Sequence, residues 1–338
     1  MAYPKLVPIN SSGKSALLIM HPTENIVTEK KIFRRILRLM GNRFEISVVA
    51  SALASAVAEQ YIDEAIEEIR RIEALLTTFN EFSVTSKINE AAGSQPVKVD
   101  TEVFSLVERS LRISSLTQGA FDISYGSADK RWWNLDKDMQ SLPDPVEARK
   151  NVRLINYRNI ILDHQQQTIF LKEKGMRIGF GAIGKGYAAE RARALLISKG
   201  VEAGVVNAAG DLCTWGNQPD GKPWTIGIAM PDAPEWPFSY LNISGLAVAT
   251  SGNYEKFVLI DGKKYAHTID PKTGMPVEGI KSVTIICSNA EIADALATPV
   301  MIMGIEAGLN MINQMKSIGC IIIDEQNQLF TSDNVNLN

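Results

Sequence analysis

The sequence has little cysteine and little net charge, and each shortage excludes a class of protein. Its three cysteines, Cys213, Cys287 and Cys320, are odd in number and widely spaced, which excludes a disulfide framework and a paired-cysteine metal site. We expect buried free thiols. The formal net charge of −3 over 338 residues gives no general attraction to nucleic acid or to anionic membranes, so no nucleic-acid partner is expected.

Long apolar runs are also missing. The longest run near the start, residues 16–20, is too short for a membrane span or a signal-peptide core, and no cleavage pattern accompanies it. No cysteine precedes Cys213, which excludes a lipid attachment site near the start. The sequence as written therefore predicts a cytoplasmic protein without a membrane span. If a leader peptide has been removed, the expected location is instead periplasmic, exported or membrane-anchored.

The apolar pattern that is present predicts helices at both ends of a strand-rich middle. Residues 1–38 show weak periodicity and are interpreted as an N-terminal extension, with a single domain over 39–333. Helices are predicted over 61–76, 102–116 and 290–316, and strands at 44–50, 159–162, 168–171, 201–206 and 320–323. The expected fold class is α+β, a mixed sheet core with helices packed around it.

Two other stretches are expected at the surface. Basic residues between 30 and 38 fit a solvated helix face better than a polyanion site. The stretch PDAPEWP, 231–237, predicts a loop connection. No internal repeat or low-complexity segment is visible in the sequence.

A glycine-rich stretch, GFGAIG at 179–184, precedes a helical pattern. Its amides can approach an anion closely, the next helix adds unpaired donors, and Lys185 adds a positive charge. A dinucleotide fold also needs an acid at the end of the next strand, where Asn207 and two alanines stand instead. A Walker loop is excluded because Gly186 follows Lys185. A phosphate cradle and a turn that only allows close packing both remain open.

The stretch AEIADALATPVMIMG, 290–304, predicts a helix with two oxygen ligands on one face. Asp294 and Thr298 lie one turn apart, so they can share a hard cation such as magnesium, which keeps other positions for waters and phosphates. The alternative is two ordinary polar residues, with Glu291 as a first-turn acid near the helix dipole. His267, in YAHTIDPKTGMP, is a candidate general base or a structural histidine.

Six stretches in one order resemble the signature set of the ApbE-type FAD:protein FMN transferases. They are GAFD (119–122), GAIGKGYA (181–188), NAAGDL (207–212), SGNYE (251–255), HTIDPKTGMP (267–276) and ADALAT (293–298). Each stretch alone has low specificity, but six in order are specific. The resemblance runs from about Met40 to Gly304. It implies an ApbE-like fold and favours a flavin diphosphate site over a nicotinamide site.

The resemblance implies a Mg²⁺-dependent enzyme that takes FAD as substrate. Such an enzyme transfers the FMN half to a Thr or Ser hydroxyl of an acceptor protein with a flavinylation motif, and releases AMP. By resemblance, His267 and Asp294 are catalytic, and the metal ligands are the Asp294 and Thr298 side chains and the Ala182 carbonyl. The positions expected to contact FAD are Met40, Phe79, Ala120, Phe121, Asp122, Gly179, Lys185 and Ile269.

The chain departs from the family pattern at several positions. Gly179 stands where Asp is usual, Gly184 where Ala is frequent and Phe79 where Tyr is common, and Ala208–Ala209 replace a glycine pair. Two other functions therefore stay open: a Mg²⁺-dependent FAD pyrophosphatase that yields FMN and AMP, and a non-catalytic FAD-binding protein. A nicotinamide dehydrogenase is disfavoured by the missing ribose acid.

Overall fold

The structure, a computed structural model, describes residues 29–129, 139–230, 233–253 and 257–335. Its helices are α1 (Ser55–Leu76), α2 (Val84–Glu90), α3 (Thr101–Leu116), α4 (Pro145–Asn151), α5 (Gly184–Ser198), α6 (Ala290–Met303) and α7 (Ile305–Asn313). Its strands are β1 (Lys30–Leu39), β2 (Asn42–Ser51), β3 (Val97–Lys98), β4 (Ile160–Asp163), β5 (Thr168–Leu171), β6 (Ala203–Ala208), β7 (Asp211–Trp215), β8 (Trp224–Met230), β9 (Ala233–Ile243), β10 (Ala247–Gly252), β11 (Phe257–Ile260), β12 (Lys263–Ala266), β13 (Ile280–Cys287), β14 (Gly319–Asp324) and β15 (Leu329–Thr331).

A large sheet forms the centre of the described part of the chain. Its strands lie in the order β1-β2-β6-β7-β10-β13-β14-β15, and each neighbouring pair is antiparallel. The α+β class is confirmed, and the pairing makes this sheet antiparallel where the sequence predicted a mixed one. Short turns join β1 to β2, β6 to β7 and β14 to β15, and such turns connect antiparallel strands but cannot connect parallel ones.

Strand β1 lies within the segment that the sequence assigns to an extension. It pairs with β2 along its whole length, so the sheet begins before the predicted boundary at residue 39. Phe33 and Leu37 pack against the core, whereas Ile36 is exposed on the opposite face. Arg34 on that outer face pairs with Glu45 at 2.8 Å. The basic residues between 30 and 38 therefore lie on a solvated strand and not on a helix face. Residues 1–28 lie outside the described ranges.

Helices α1, α5 and α6 form a layer on one face of the large sheet. The α1 residues that face the core recur every three or four positions, as the sequence predicted; they are Ile62, Ala65, Ile66, Ile69, Ile72 and Leu76. Helix α5 packs on β6 and β7, and α6 packs on β10 and β13. Across the described ranges, no helix combines the length and the apolarity needed to cross a bilayer.

The ribbon of β8 and β9 covers the opposite face of the sheet. Trp224 packs with Val49, and Ile243 packs with Leu212. The sequence predicts a loop for the stretch PDAPEWP. This prediction is wrong in part, because β9 begins at Ala233, inside the stretch. The pairing register shifts near that end of the ribbon, which is where a strand tolerates proline.

The three cysteines are buried free thiols, as the sequence predicts. Burial raises the pKa of Cys213 and of Cys320 to about 12, and it raises the pKa of Cys287 above its ordinary value. Because the thiolate is the reactive form, these residues are packing residues and not nucleophiles.

Glycine sets the distance between α5 and α6. A Cβ atom on Gly186 would lie 2.1 Å from the carbonyl oxygen of Ala290 and 2.7 Å from the Cβ of Asp294. Only a residue without a side chain allows this approach. The close packing expected near the glycine-rich stretch thus occurs between two helices, and it brings the first turn of α5 to Asp294.

An ion pair joins α3 to α6. Glu291, in the first turn of α6 and only 6% exposed, accepts two hydrogen bonds from the Arg109 guanidinium, at 2.6 and 3.0 Å. We expect Glu291→Gln to lower the free energy of unfolding by about 1–3 kcal/mol, because a charged acceptor is lost in a mostly buried place. Urea denaturation followed by circular dichroism measures this loss.

A double-mutant cycle supplies the control for this pair. Arg109→Met removes the guanidinium, and the double variant should lose less stability than the two single variants added together. Strictly additive losses would contradict the expectation, because they would mean that Arg109 and Glu291 stabilise the fold independently.

Candidate active site

A cleft of about 1100 Å³ opens beside the first turn of α5 and one face of α6. The β1–β2 turn, the loops after α1 and α3, the glycine-rich stretch, the end of β10 and residues 267–268 form much of the rest of its wall. Most of the residues predicted for the site line this cleft: Met40, Phe79, Ala120, Phe121, Asp122, Gly179, Ala182, Lys185, His267, Asp294 and Thr298.

Ile269 is the predicted site residue that does not line the cleft. Its side chain is buried, and its backbone N–H donates to the Tyr125 hydroxyl at 3.4 Å. Tyr125 and the neighbouring Thr268 do line the cleft. Burial raises the pKa of Tyr125 to about 12, so the hydroxyl keeps its proton. Ile269 therefore lies one layer behind the wall and supports it.

A lysine and two carboxylates meet on the cleft wall. The Lys185 Nζ lies 2.9 Å from Asp211 Oδ2 and 3.4 Å from Asp294 Oδ1. Burial opposes the charge on Lys185, but the two carboxylates outweigh it and raise the pKa of the ammonium group. Burial, and after it the nearby Asp294 charge, raise the pKa of Asp211. Lys185 is thus a permanent positive charge at the site.

Asp294 also fixes the start of α5. Its Oδ2 accepts a hydrogen bond from the Gly186 backbone N–H at 2.9 Å, and its side chain is nearly buried. Two other N–H groups of this turn, on Gly184 and Tyr187, donate to backbone carbonyls. The first-turn amides are therefore largely engaged within the protein, and Lys185 is the stronger candidate to hold a phosphate oxygen.

Sequence reasoning missed Asp211 as a site residue. In the structure, Ala209 and Gly210 both have positive φ, 57° and 100°, and they form the tight turn between β6 and β7. Asp211 follows as the first residue of β7, and its Oδ1 accepts from the Thr250 N–H at 3.2 Å. In the sequence, NAAGDL indicates the turn but not the approach of Asp211 to Lys185.

Asn89 is a second residue that sequence reasoning missed. Its side chain accepts from the Ile178 N–H at 2.7 Å and donates to the Ile178 carbonyl at 3.0 Å, just before the glycine-rich stretch. The N–H of Gly179 then donates to the Ile123 carbonyl at 2.8 Å. These bonds hold the glycine-rich stretch in place along the cleft, and no local motif around Asn89 marks the role.

The donor set fits a hard divalent cation. Asp294 supplies a carboxylate, and Thr298, one turn along α6, supplies a hydroxyl whose oxygen lies 3.3 Å from the Ser251 hydroxyl. Among the described residues no group of three or more His, Cys, Asp or Glu side chains forms a closed metal cage. Two carboxylates against one ammonium leave this wall negative. Magnesium suits such an open oxygen site, because it keeps waters and phosphates as its other ligands.

Aromatic and other apolar side chains also line the cleft, among them Phe79 and Phe121. Phe79 is 93% exposed at its mouth, and His267 is a solvent-exposed residue of its lining. Asp122 is held in the wall, where it accepts hydrogen bonds from Ser124 and from the Tyr157 N–H. Burial raises the pKa of Asp122 above its ordinary value. An exposed aromatic ring suits a flat ligand such as a flavin.

Most of the chain matches one protein family. The sequence model of the ApbE family matches residues 40–322. The chain belongs to the ApbE family. An FAD:protein FMN transferase from Klebsiella pneumoniae (strain 342) is 33% identical over 266 residues, which are 78% of this chain and 82% of that protein. One from Treponema pallidum (strain Nichols) is 28% identical, over 81% of this chain and 80% of that protein.

Solved ApbE structures share the fold. The ApbE protein from Thermotoga maritima superposes with a TM-score of 0.81 at 29% identity, covering 90% of this chain and 97% of that one. The flavin transferase ApbE from Vibrio cholerae gives a TM-score of 0.77 at 24% identity, covering 90% and 98%. The ApbE-like fold predicted from the sequence is therefore confirmed.

The departures from the ApbE pattern are not imposed by crowding. A Cβ atom on Gly179 would have the Thr78 methyl at 3.8 Å as its nearest neighbour, and one on Gly184 would have the Phe180 Cβ at 3.4 Å. Both are ordinary contact distances. Ala209 takes positive φ although it has a side chain, so the turn of the usual glycine pair is kept at a conformational cost.

Proposed function

We propose that this ApbE-family chain is an FAD:protein FMN transferase. It takes FAD as substrate, transfers the FMN half to a Thr or Ser hydroxyl of an acceptor protein with a flavinylation motif, and releases AMP. The observation that carries the proposal is the cluster of Lys185, Asp294 and Thr298 in a cleft large enough for a dinucleotide. The relatives from Klebsiella and Treponema carry the name of this activity.

The residues of the cleft wall take separate roles in this proposal. The Asp294 and Thr298 side chains and the Ala182 carbonyl hold Mg²⁺. When bound there, Mg²⁺ supplies positive charge against the negative charge that develops as the phosphoanhydride breaks. Without a divalent cation, a diphosphate next to Lys185 would also meet the Asp211 and Asp294 carboxylates. Lys185 holds a phosphate oxygen, and Asp211 holds Lys185.

The acceptor hydroxyl reacts with the phosphate group on the flavin side of the FAD diphosphate. A bond forms between its oxygen and the phosphorus on the flavin side, and the bond from that phosphorus to the bridging oxygen breaks, so AMP leaves. His267 accepts the hydroxyl proton as general base; its exposed position in the cleft is open to an incoming protein segment. Phe79 offers an apolar face to the flavin ring.

Mass spectrometry after incubation with FAD, Mg²⁺ and a candidate acceptor tests the proposal. A covalent FMN adduct on the acceptor, with AMP in equal amount, is the expected result. Free FMN with AMP and no adduct would instead establish an FAD pyrophosphatase, in which water takes the place of the acceptor. Unchanged FAD, with retained FAD binding, would overturn the enzymatic proposal in favour of a binding protein.

A further inference from the structure

A second depression, of about 420 Å³, adjoins the cleft. Its lining includes four cationic side chains, Arg149, Arg153, Arg158 and Lys272, and we call it the basic groove. Asp122 lines both the cleft and the basic groove, so the two cavities meet at this residue. The basic groove is a local positive surface on a chain whose formal net charge is −3.

Cationic side chains outnumber carboxylates in the lining of the basic groove, four to one. None of its four cations forms a direct ion pair within the described part of the chain; Arg158 stacks on the Tyr157 ring, at 4.6 Å, and its charge also acts on the Asp122 carboxylate. The nearby acids accept hydrogen bonds from other groups. Both Asp122 oxygens accept hydrogen bonds from Ser124 or the Tyr157 N–H, and the side chain of Asp270 accepts from the Lys272 backbone N–H at 2.8 Å.

Two further acids lie at the start of α4, the helix that carries Arg149. Asp144 caps that helix by accepting from the N–H groups of Val146 and Glu147, and Glu147 pairs with Lys150. Like charges held together without partners repel one another, and a bound anion relieves that cost. The basic groove is therefore suited to a ligand that carries several negative charges.

The loop that carries His267 contributes Pro271 and Lys272 to the basic groove. The tight turn Asp270–Gly274 follows His267, and Gly274 has a φ of 73°. A Cβ atom on Gly274 would lie 2.4 Å from the carbonyl oxygen of Ala148, so the turn is packed directly on α4, next to Arg149. One loop thus carries His267 in the lining of the cleft and Lys272 in the lining of the groove.

We propose that the basic groove binds a carboxylate-bearing segment of the acceptor protein, next to the residue that receives FMN. The inference rests on the proposed function, because an acceptor that brings its hydroxyl to His267 comes to the loop that also carries Lys272. The groove is concave and adjoins the cleft through Asp122, which suits a peptide segment better than a flat lipid surface. Charge complementarity supplies orientation and a faster encounter.

The test uses peptide binding by the full chain at low salt, without FAD. The probe is a fluorescein-labelled peptide with one threonine flanked by glutamates, and its reference is the same peptide with glutamines. The groove variant is Arg149→Glu/Arg153→Glu, at two exposed residues outside the cleft. The matched control, Lys87→Glu/Lys316→Glu, makes the same change in net charge at two other exposed positions.

We expect the glutamate peptide to bind at least about tenfold more tightly than the glutamine peptide, and the groove variant to lose that preference. The control variant should keep it. Equal weakening by the two variants would overturn the proposal, because the effect would then be net charge alone. Vesicles with phosphatidylserine that bind the wild type better than the peptide does, and lose binding with the groove variant, would overturn it in favour of a membrane surface.

Peptide binding and FMN transfer are measured separately, so the two proposals can fail independently. Binding that vanishes in the groove variant supports the groove even if no transfer is found with any acceptor. FAD binding, followed by flavin fluorescence, should be the same in the wild type and in both variants. A matching loss of FAD affinity in the groove variant would contradict the groove proposal, because the cleft itself would then be affected.

Discussion

Replacing Asp294 by asparagine should lower the rate of FMN transfer by at least about 10²–10³-fold, the size expected for the loss of one preorganised charge-stabilising group. The asparagine side chain keeps an oxygen that can accept from the Gly186 N–H, so the start of α5 stays in place. It loses the negative charge that faces the cation. The measurement is the initial rate of FMN adduct formation across a Mg²⁺ titration.

A matched control separates lost charge from a disturbed fold. Asp324→Asn makes the same chemical change at a buried carboxylate that accepts backbone hydrogen bonds from Gln326 and Gln328, away from the residues that line the cleft. It should leave the rate and the Mg²⁺ requirement unchanged. An Asp294→Asn variant with full activity, or with an unaltered Mg²⁺ dependence, would exclude Asp294 as the metal ligand.

Gly186→Ala should destabilise the protein by about 3 kcal/mol or more, the upper range for an overpacked core. The added methyl would lie 2.1 Å from the Ala290 carbonyl oxygen, and a backbone atom cannot rotate away as a side chain can. Helices α5 and α6 must then separate. Because Asp294 binds the Gly186 N–H, FMN transfer should fall together with stability. Urea denaturation and the adduct-formation rate measure the two effects.

Gly184→Ala is the matched control for this prediction. It makes the same change two residues earlier in the same helix, where the nearest atom to the new methyl is the Phe180 Cβ at 3.4 Å. A glycine-to-alanine change at a compatible position leaves stability unchanged or raises it by up to about 1 kcal/mol. Equal urea midpoints for Gly186→Ala and Gly184→Ala would show that the helix contact is not a tight one.

Local sequence patterns predicted the elements whose burial repeats at a fixed spacing. The apolar stripe of α1 recurs at helical spacing, and the short apolar runs at β4 and β5 fall where the strands lie. The segment that forms β1 was wrongly predicted to be part of an extension with a basic helix face. Arginines interrupt its apolar positions, and its outer face stays exposed. Only the pairing with β2 makes it a strand, and that pairing is not written in the segment itself.

The same difference between local patterns and long-range contacts applies to the residues of the site. Asp294 and Thr298 could be predicted because one helix turn places them on the same face, and Lys185 because it follows a glycine-rich stretch. Asp211 could not be predicted, because its approach to Lys185 depends on the order of strands in the sheet and on the packing of α5 over β7. No spacing along the chain encodes that approach.

The amino-acid sequence by itself determined the family, the helix that carries the two oxygen ligands and the glycines at the start of α5, because each depends on residues close together in the chain. Tertiary structure alone decided that β1 completes the sheet, that Ile269 stands behind the wall, and that Asp211 and the basic groove adjoin the cleft. The physical reason is that these contacts join residues far apart in sequence, and their distances are set by how strands and helices pack.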